Sequence, residues 1–242
     1  MNKNPLLTIL IPAYNEEKAI KNTLKKVCGY LKGKKYSWEV MVSDDGSGDT
    51  TSMIVRNFKK ESVRLIYTKK NQGKGAALRN GVKASIGDYI IFMDADLSVP
   101  LDNIDKFMKE FNKGADVVIA SRRVNGAKIE VHQPWHREIM GRVYTKLTQI
   151  VTGVKIPDFT CGFKGFSSNA AKKIFRSSVI NRWAYDSEIM YLAKKYGYEI
   201  IQVPIVWKNR EDTRVKLRSV ILESFKDLLS IRVNDLKGLY DW

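Results

Sequence analysis

The stretch Tyr89-Ile90-Ile91-Phe92-Met93-Asp94-Ala95-Asp96 decides the fold. Its apolar run is long enough for one strand and stops at two carboxylates one residue apart. A strand that is apolar throughout is covered on both faces, the condition of a strand inside a parallel sheet, and open α/β sheets bind ligands beyond the carboxyl ends of such strands. Two acids at that edge suit a hard divalent cation. Mg2+ and Mn2+ prefer oxygen donors, and Mg2+ is commonly held by one or two carboxylates while phosphates and water complete the shell. An isolated Asp-x-Asp is more often a pair of solvated acids, so the reading depends on its surroundings.

Outward from this segment the first half keeps one rhythm. Leu6 to Ile11, Trp38 to Val42, Val63 to Tyr67 and Ala115 to Ala120 read as further strands. Helical patterns begin near Glu17, Thr50, Lys74 and Leu101. The alternation predicts a mostly parallel, doubly wound sheet flanked by helices. Pro12, Gly46, Gly48, Gly73, Gly75, Gly87 and Pro100 punctuate it at turns and helix starts. The first strand ends in Pro12-Ala13-Tyr14-Asn15-Glu16 and the second in Val42-Ser43-Asp44-Asp45-Gly46-Ser47, so three strands place acids at one sheet edge. Any one of these acids could form a turn, and Asp49 reads as a helix cap. Asn71-Gln72-Gly73-Lys74-Gly75 lacks the third glycine, preceding strand and downstream acid of a dinucleotide fingerprint, and no Walker A sequence is present.

After Arg123 the rhythm changes. Trp135 to Val151 carries Ile139, Met140, Val143, Tyr144, Leu147, Ile150 and Val151 at helical spacing, interleaved with Arg137, Arg142 and Lys146. A strand near Cys161 to Phe166, helices over Asn169 to Phe175 and Tyr185 to Lys195, and a strand from Glu199 to Trp207 follow. Arg214 to Leu229 is again amphipathic, with Leu217, Val220, Ile221, Phe225, Leu228 and Leu229 on one stripe, and Lys208, Arg210, Arg214, Lys216 and Arg218 lead into it. Such a stripe ordinarily faces a core; the basic lead-in adds a bilayer-surface reading, since it gains from anionic headgroups.

The 242 residues, 44% apolar and 28% charged, can bury one substantial core. Cys28 and Cys161 offer neither a disulfide framework nor a zinc motif. The start of the chain does not read as a signal peptide, and no apolar run reaches the length of a membrane span, so a cytoplasmic protein is expected. The net charge of +16 attracts nucleic acid, anionic lipid or phosphorylated substrates alike. Clustered strand-end acids argue against a nucleic-acid groove, which would be lined by Lys and Arg. His132 and His136, four apart around Pro134 without a third ligand in view, read as loop histidines.

Pro12-Ala13-Tyr14-Asn15-Glu16, Asp44-Asp45-Gly46-Ser47, Asn71 to Gly75 and Asp94-Ala95-Asp96, in that order, resemble the motifs of family 2 glycosyltransferases with the GT-A fold. Ser121-Arg122, the Arg137 to Ile150 segment and Asp158 to Lys164 are similar to the dolichyl-phosphate sugar synthases. Gly73 to Arg79, Cys161-Gly162-Phe163-Lys164 and Arg182-Trp183-Ala184-Tyr185-Asp186-Ser187-Glu188 look closer to the glucosyltransferases than to the mannose enzymes among them.

The resemblance implies a GT-A domain over 1–217, with a nucleotide-sugar half at 1–123 and an acceptor half at 124–207, followed by a membrane-associating tail at 208–242. It implies that Pro12, Tyr14, Glu16, Val42 and Asp44 cup the nucleoside, that Asp94 and Asp96 hold Mg2+ or Mn2+ and, through it, the diphosphate, and that Asp94 and Ala95 also line the nucleotide-sugar site. Arg122 and Lys216 would neutralise phosphate charge; Arg137 and Arg142 would bind the phosphate of the acceptor lipid. Gly141 departs from the mannose synthases, which often have serine there, as does Leu97-Ser98-Val99-Pro100 after the metal motif. The implied reaction is inverting transfer of a hexose, foremost glucose from UDP-glucose, to a polyprenyl or dolichyl phosphate at an anionic membrane surface, the inner face of the cell membrane or the cytoplasmic face of the endoplasmic reticulum. The alternatives are mannose from GDP-mannose, glycan elongation on a hydroxyl with Asp186 or Glu188 as base, and a basic binding module without catalysis.

Overall fold

A computed structural model describes residues 6–58, 62–208 and 217–241, and for 208 and 217–222 the backbone alone. Five strands of the central sheet run parallel in its first half: β1 (Leu7–Ala13), β2 (Trp38–Asp44), β3 (Val63–Tyr67), β4 (Tyr89–Phe92) and β5 (Val117–Ser121). Helices α1 (Ile20–Lys32), α2 (Thr51–Arg56), α3 (Lys74–Ala84) and α4 (Asn103–Asn112) alternate with them. β1 pairs in parallel with both β2 and β4, so the ends carrying Ala13, Asp44 and Asp94 open on one edge. That convergence follows from burial: Ile90, Ile91 and Phe92 are wholly buried, as a strand covered on both faces must be. Each such side chain contributes roughly 1.5–3 kcal/mol.

The second half completes the sheet in a way the sequence did not indicate. After β6 (Lys128–Val131) and α5 (Trp135–Thr152), strand β7 (Lys164–Ser167) enters antiparallel between β4 and β5. Helices α6 (Ser168–Ser177) and α7 (Tyr185–Lys195) lead to β8 (Ile200–Pro204), and the sheet order is β3-β2-β1-β4-β7-β5-β8. The predicted strand from Glu199 to Trp207 is two strands. At Ile205 the chain leaves the main sheet, and β9 (Val206–Lys208) pairs with β6, which sequence reading had missed. Phe166 stacks on Phe92 across the insertion, 5.7 Å between ring centres, and the segment before β7 lies beside the end of β4.

Cores form on both faces of the sheet: α1 and α4 cover one, and α3, α6 and α7 the other. Helix α8 (Leu217–Leu236) belongs to the second core, since Leu228, Ile231 and the following Tyr240 are fully buried there. The described part of the expected membrane-associating tail, 208–242, is therefore packed on the domain through this face. Phe225 lies edge-on to Tyr144 of α5, leaving Leu229, 62% exposed, as the solvent-facing member of the expected stripe whose side chain is described. Arg210, Arg214 and Lys216 lie outside the described residues, and the side chains of Leu217, Arg218, Val220 and Ile221 are not described.

Candidate active site

At the β1 and β2 ends, backbone groups and short polar side chains interlock. Asn15 donates its N–H to Ser47 Oγ (2.9 Å) and accepts from Gly48 N–H (2.9 Å), while the Glu16 N–H reaches Thr51 Oγ1 (2.8 Å). Asn15 does this at a φ of 56°, a left-handed conformation that asparagine tolerates. The acids that follow β2 are consumed by the same architecture. Asp44, fully buried, accepts from Ser47 N–H (2.9 Å), Ser47 Oγ (2.6 Å) and Ser52 Oγ. Asp45 accepts from Gly73 N–H (2.6 Å), Gln72 N–H (3.0 Å) and Asn71 Nδ2 (2.9 Å). Both carboxylates therefore organise turns. Val42 is sealed in the core and supports the crevice from below. Of the five residues expected to cup a nucleoside, Pro12, Tyr14 and Glu16 reach the surface, Tyr14 at 47% exposure.

Asp94 and Asp96 stand in the open part of the edge. Thr23 of α1 donates to the Ala95 carbonyl, and the Ala95 side chain is buried, so Ala95 fixes the turn without facing a ligand. Ser98 N–H reaches Asp96 Oδ1 (2.8 Å); Asp96 Oδ2 has no partner among the described residues. The next residue, Leu97, adopts a φ of 55°, a strained conformation for leucine that costs of order 1–3 kcal/mol and is found at functional turns. Across the gap Gly162 approaches so closely that a Cβ there would overlap the Asp94 carboxylate. Glycine at 162 is thus a requirement of Asp94's position.

Lys74, which sequence reasoning passed over, forms an ion pair with Asp94. Burial acts to lower its pKa, but Asp94, the Tyr185 phenol and Asp186 outweigh this and hold it well above the ordinary lysine value. The signal was available: a lysine between two glycines at a helix start is aimed by its backbone. Gly73 has φ 113° and its neighbours Gly75 and Ala76 donate to the Asn181 carbonyl, with 2.8 Å for Gly75. Any side chain at Gly73 would strike that carbonyl. The glycines therefore dock α3 against the loop 178–184; their N–H groups are engaged by Asp45 and Asn181 and form no phosphate cradle.

Behind Lys74 lies a second ion pair. Lys164, wholly buried on β7, bonds Asp186 and the Cys161 carbonyl (2.7 Å). Glu188, also wholly buried, accepts from Val179 N–H (2.9 Å), Ile180 N–H (3.0 Å) and Tyr240 Oη (2.7 Å). Burial raises its pKa against these donors. Both acids are committed to holding the loop and helix α7, which weighs against either as a free general base.

Beyond the end of β5, Arg122 clamps Asp158 through Nε (2.7 Å), Nη2 (2.7 Å) and its backbone N–H (2.9 Å), and its guanidinium lies 5.2 Å from the Trp207 ring centre. Burial pushes Asp158 up, yet the Arg122 hydrogen bonds and charge prevail and hold it below the usual carboxylate range. Arg122, expected to neutralise phosphate charge, has 15% of its side chain exposed and is paired with Asp158. Arg123 donates to Thr145 Oγ1 (3.0 Å), and its guanidinium lies 3.3 Å from where a Cβ at Gly141 would stand. Helix α5 is continuous from Trp135, so Arg137 and Arg142 point about 140° apart. Arg137 is half-buried without a side-chain partner among the described residues, and Arg142 is exposed. They do not converge on one phosphate from a common face. Lys216 lies outside the described residues.

A Rossmann-like sheet with acids at the ends of its central strands and an antiparallel strand beside them is the GT-A architecture. The Glycosyl transferase family 2 model matches residues 8–175, and the chain belongs to that family. It is 33% identical to a dolichyl-phosphate beta-glucosyltransferase of Trichomonas vaginalis over 96% of this chain and 72% of that protein. It is 30% identical to the dolichyl-phosphate beta-glucosyltransferase of Homo sapiens over 97% and 77%. Among solved structures, it is similar to mannosyl-3-phosphoglycerate synthase from Rubrobacter xylanophilus, with a TM-score of 0.69 at 16% identity over 97% of this chain and 75% of that one. It also resembles glucosyl-3-phosphoglycerate synthase from Mycobacterium tuberculosis in complex with Mn2+, UDP and glucosyl-3-phosphoglycerate, with a TM-score of 0.64 at 19% identity over 94% and 80%.

Proposed function

We propose that this chain transfers glucose from UDP-glucose to dolichyl or another polyprenyl phosphate, with inversion at the anomeric carbon. The observation that carries the reading is the pair of accessible acids, Asp94 and Asp96, at the sheet edge of a chain whose relatives, matched over about three quarters of their length, carry the name dolichyl-phosphate beta-glucosyltransferase. Those names favour glucose over the GDP-mannose alternative. Tyr14, Pro12 and Glu16 receive the nucleoside, with Asp44 and Val42 as supports beneath. The residues present fit a divalent metal: Asp96 Oδ2 is unpartnered among the described residues, and two carboxylates leave room for diphosphate and water oxygens. Asp94 and Asp96 would hold Mg2+ or Mn2+, which when bound offsets the negative charge developing on the leaving diphosphate. Arg137 orients the lipid phosphate, for which the bidentate fork of arginine is suited. That phosphate is mostly ionised at neutral pH, with a second pKa of about 6, so it attacks without a base. The engaged state of Asp186 and Glu188 agrees with this and disfavours the hydroxyl-acceptor route.

Among the described residues no helix is long and apolar enough to cross a membrane. Acting on a lipid acceptor, the chain works at a membrane surface, to which anionic headgroups draw its +16 charge. The test is transfer of label from UDP-glucose and, in parallel, GDP-mannose to dolichyl phosphate with and without chelator. Metal-dependent glucosyl lipid supports the reading; mannosyl lipid, or glucose found on a hydroxyl acceptor alone, overturns it.

A further inference from the structure

Tyr185 opens α7 with a phenol that nothing in the protein holds. The residues after it in the first turn are all engaged: Asp186 with Lys164, Ser187 Oγ with Tyr144 Oη (3.2 Å), and Glu188 with Val179 N–H, Ile180 N–H and Tyr240 Oη. Tyr185 is 4% exposed, and its oxygen is buried without a hydrogen-bond partner among the described residues. Buried hydroxyls are ordinarily satisfied, so an orphan asks for an occupant. Tyr36 Oη and Gln202 Oε1 share that state, but Tyr36 precedes the start of β2, at the opposite end of the sheet from Asp94, and Gln202 lies within strand β8. The place of Tyr185 is set from α3. A Cβ at Gly75 would stand 2.8 Å from Tyr185 Cβ, so the glycine lets the two helix starts meet. Its neighbour Lys74 reaches over the Tyr185 ring, Nζ 5.8 Å from the ring centre, while pairing with Asp94. Burial foremost, with Asp186 and Asp94 adding to it, outweighs Lys74 and holds the phenol well above the ordinary tyrosine pKa. The oxygen therefore keeps its proton and is a neutral donor.

We propose that Tyr185 is a specificity residue for the donor sugar: once Lys74 leaves Asp94, the phenol donates to a hydroxyl of the hexose that is to be transferred. The inference rests on the nucleotide-sugar reading above. A diphosphate held at Asp94 and Asp96 brings its hexose beside those acids, and Lys74, displaced from Asp94, uncovers the phenol. A sugar hydroxyl accepts from the phenol and still donates its own proton to a carboxylate, whereas a diphosphate oxygen is better met by a charged donor such as Lys74. A neutral donor in a dry place suits discrimination. A site that hydrogen-bonds a substrate hydroxyl penalises the analogue that lacks it, because the buried group is then left unpaired. The rest of the first turn of α7 is fixed by Lys164, Tyr144 and the loop 178–184, so the phenol is aimed before the sugar arrives.

The experiment compares wild type with Tyr185→Phe, which keeps the ring and removes only the oxygen. Because that oxygen has no partner in the free protein, the thermal midpoint should hold or rise. The Kd for UDP, measured by calorimetry in Mn2+, should stay at the wild-type value, while kcat/KM for transfer from UDP-glucose to dolichyl phosphate should fall about tenfold. Both proteins are then assayed with UDP-linked 2-, 3-, 4- and 6-deoxyglucose. One of these analogues should lose about tenfold against UDP-glucose in wild type and nothing further in Tyr185→Phe, since the two changes delete the same hydrogen bond. Unchanged kcat/KM in the variant, or the same penalty for every analogue in both proteins, overturns the proposal and leaves the phenol to packing or a water molecule. UDP bound as poorly by the variant as UDP-glucose also overturns it, and assigns the phenol to the diphosphate. Wild type that does not take UDP-glucose strikes at the proposed function, while the same comparison of GDP with GDP-mannose and its deoxy analogues still judges Tyr185.

Discussion

The Arg122–Asp158 clamp tests whether the segments after β5 and before β7 are held together by charge pairing or by packing. Asp158 is 1% exposed and receives three N–H groups from Arg122. Asp158→Asn keeps its volume but turns an amide NH2 toward that donor fork and strands a guanidinium in a poorly solvated place. Removing one partner of a buried ion pair costs about 3–5 kcal/mol. At roughly 2–4 °C per kcal/mol for a chain of this size, the thermal midpoint should fall by roughly 10 °C. Arg122→Leu with Asp158→Leu should behave differently, because a buried pair replaced together by apolar groups is often neutral. The backbone N–H of Arg122 still loses its acceptor, so the double variant should remain about 1–3 kcal/mol below wild type. Urea unfolding followed by circular dichroism, arranged as a double-mutant cycle, measures this. Single-variant losses under about 1 kcal/mol, or additive effects in the double variant, refute the clamp. The pH dependence has a definite sign. With its folded pKa depressed, Asp158 contributes stability above its unfolded pKa of about 3.9, and that contribution disappears as pH falls through the lower folded value. Asp158→Asn should remove this part of the acid-unfolding profile.

Asp96→Asn and Asp94→Asn should each lower kcat/KM for glucosyl transfer by orders of magnitude at nearly unchanged thermal midpoint; full activity in chelator would contradict the metal reading. Lys74→Met should strengthen Mn2+ binding measured by electron paramagnetic resonance without nucleotide, since Lys74 and a cation compete for Asp94, and unchanged affinity would remove Lys74 from that role. Arg137→Ala should abolish transfer to polyprenyl phosphate while nucleotide-sugar affinity stays near wild type. Asp186→Asn should mainly destabilise, by about 3–5 kcal/mol, because it strands buried Lys164, and a specific loss of the chemical step at intact fold would restore it as a base.

The parallel half was legible because strand-length apolar runs alternated with helical patterns, and the acids at their ends marked the edge where the site lies. β7 was detectable as a strand, but four residues carry no sign of direction, and only pairing with Ile91 and Val118 shows it antiparallel. The exposed β6, Lys-Ile-Glu-Val, alternates polar and apolar residues but over only four positions, too short a run to be read. Asp44 and Asp45 were ambiguous for a different reason. An acid after a strand looks the same in sequence whether it faces a ligand or collects N–H groups, and here the donors at Ser47 and Gly73 decide. Arg122 poses the same ambiguity at longer range, since its partner lies 36 residues away. The periodicity of α5 was correctly read as helical, but a pattern alone does not say what covers it: Tyr144, Leu147 and Val151 pack against the core while Ile139, Val143 and Ile150 are exposed.

The site's two halves are joined by one chain of contacts, and this explains why residues distant in sequence form a single functional unit. Tyr240, near the end of the described chain, donates to Glu188; Glu188 holds the N–H groups of Val179 and Ile180; and the Asn181 carbonyl next to them receives Gly75 at the start of α3. That helix start carries Lys74 to Asp94. Tyr240→Phe leaves Glu188 with two backbone donors but lacking its phenol, which costs about 1–3 kcal/mol for a buried acceptor. If the contacts transmit position, this remote change should also alter Mn2+ affinity and raise KM for the nucleotide sugar, and Tyr240→Phe combined with Lys74→Met should show less than additive effects on Mn2+ binding. Strict additivity, with Mn2+ affinity untouched by Tyr240→Phe, would show the loop 178–184 to be a passive support, and Lys74 to be aimed by the glycines alone.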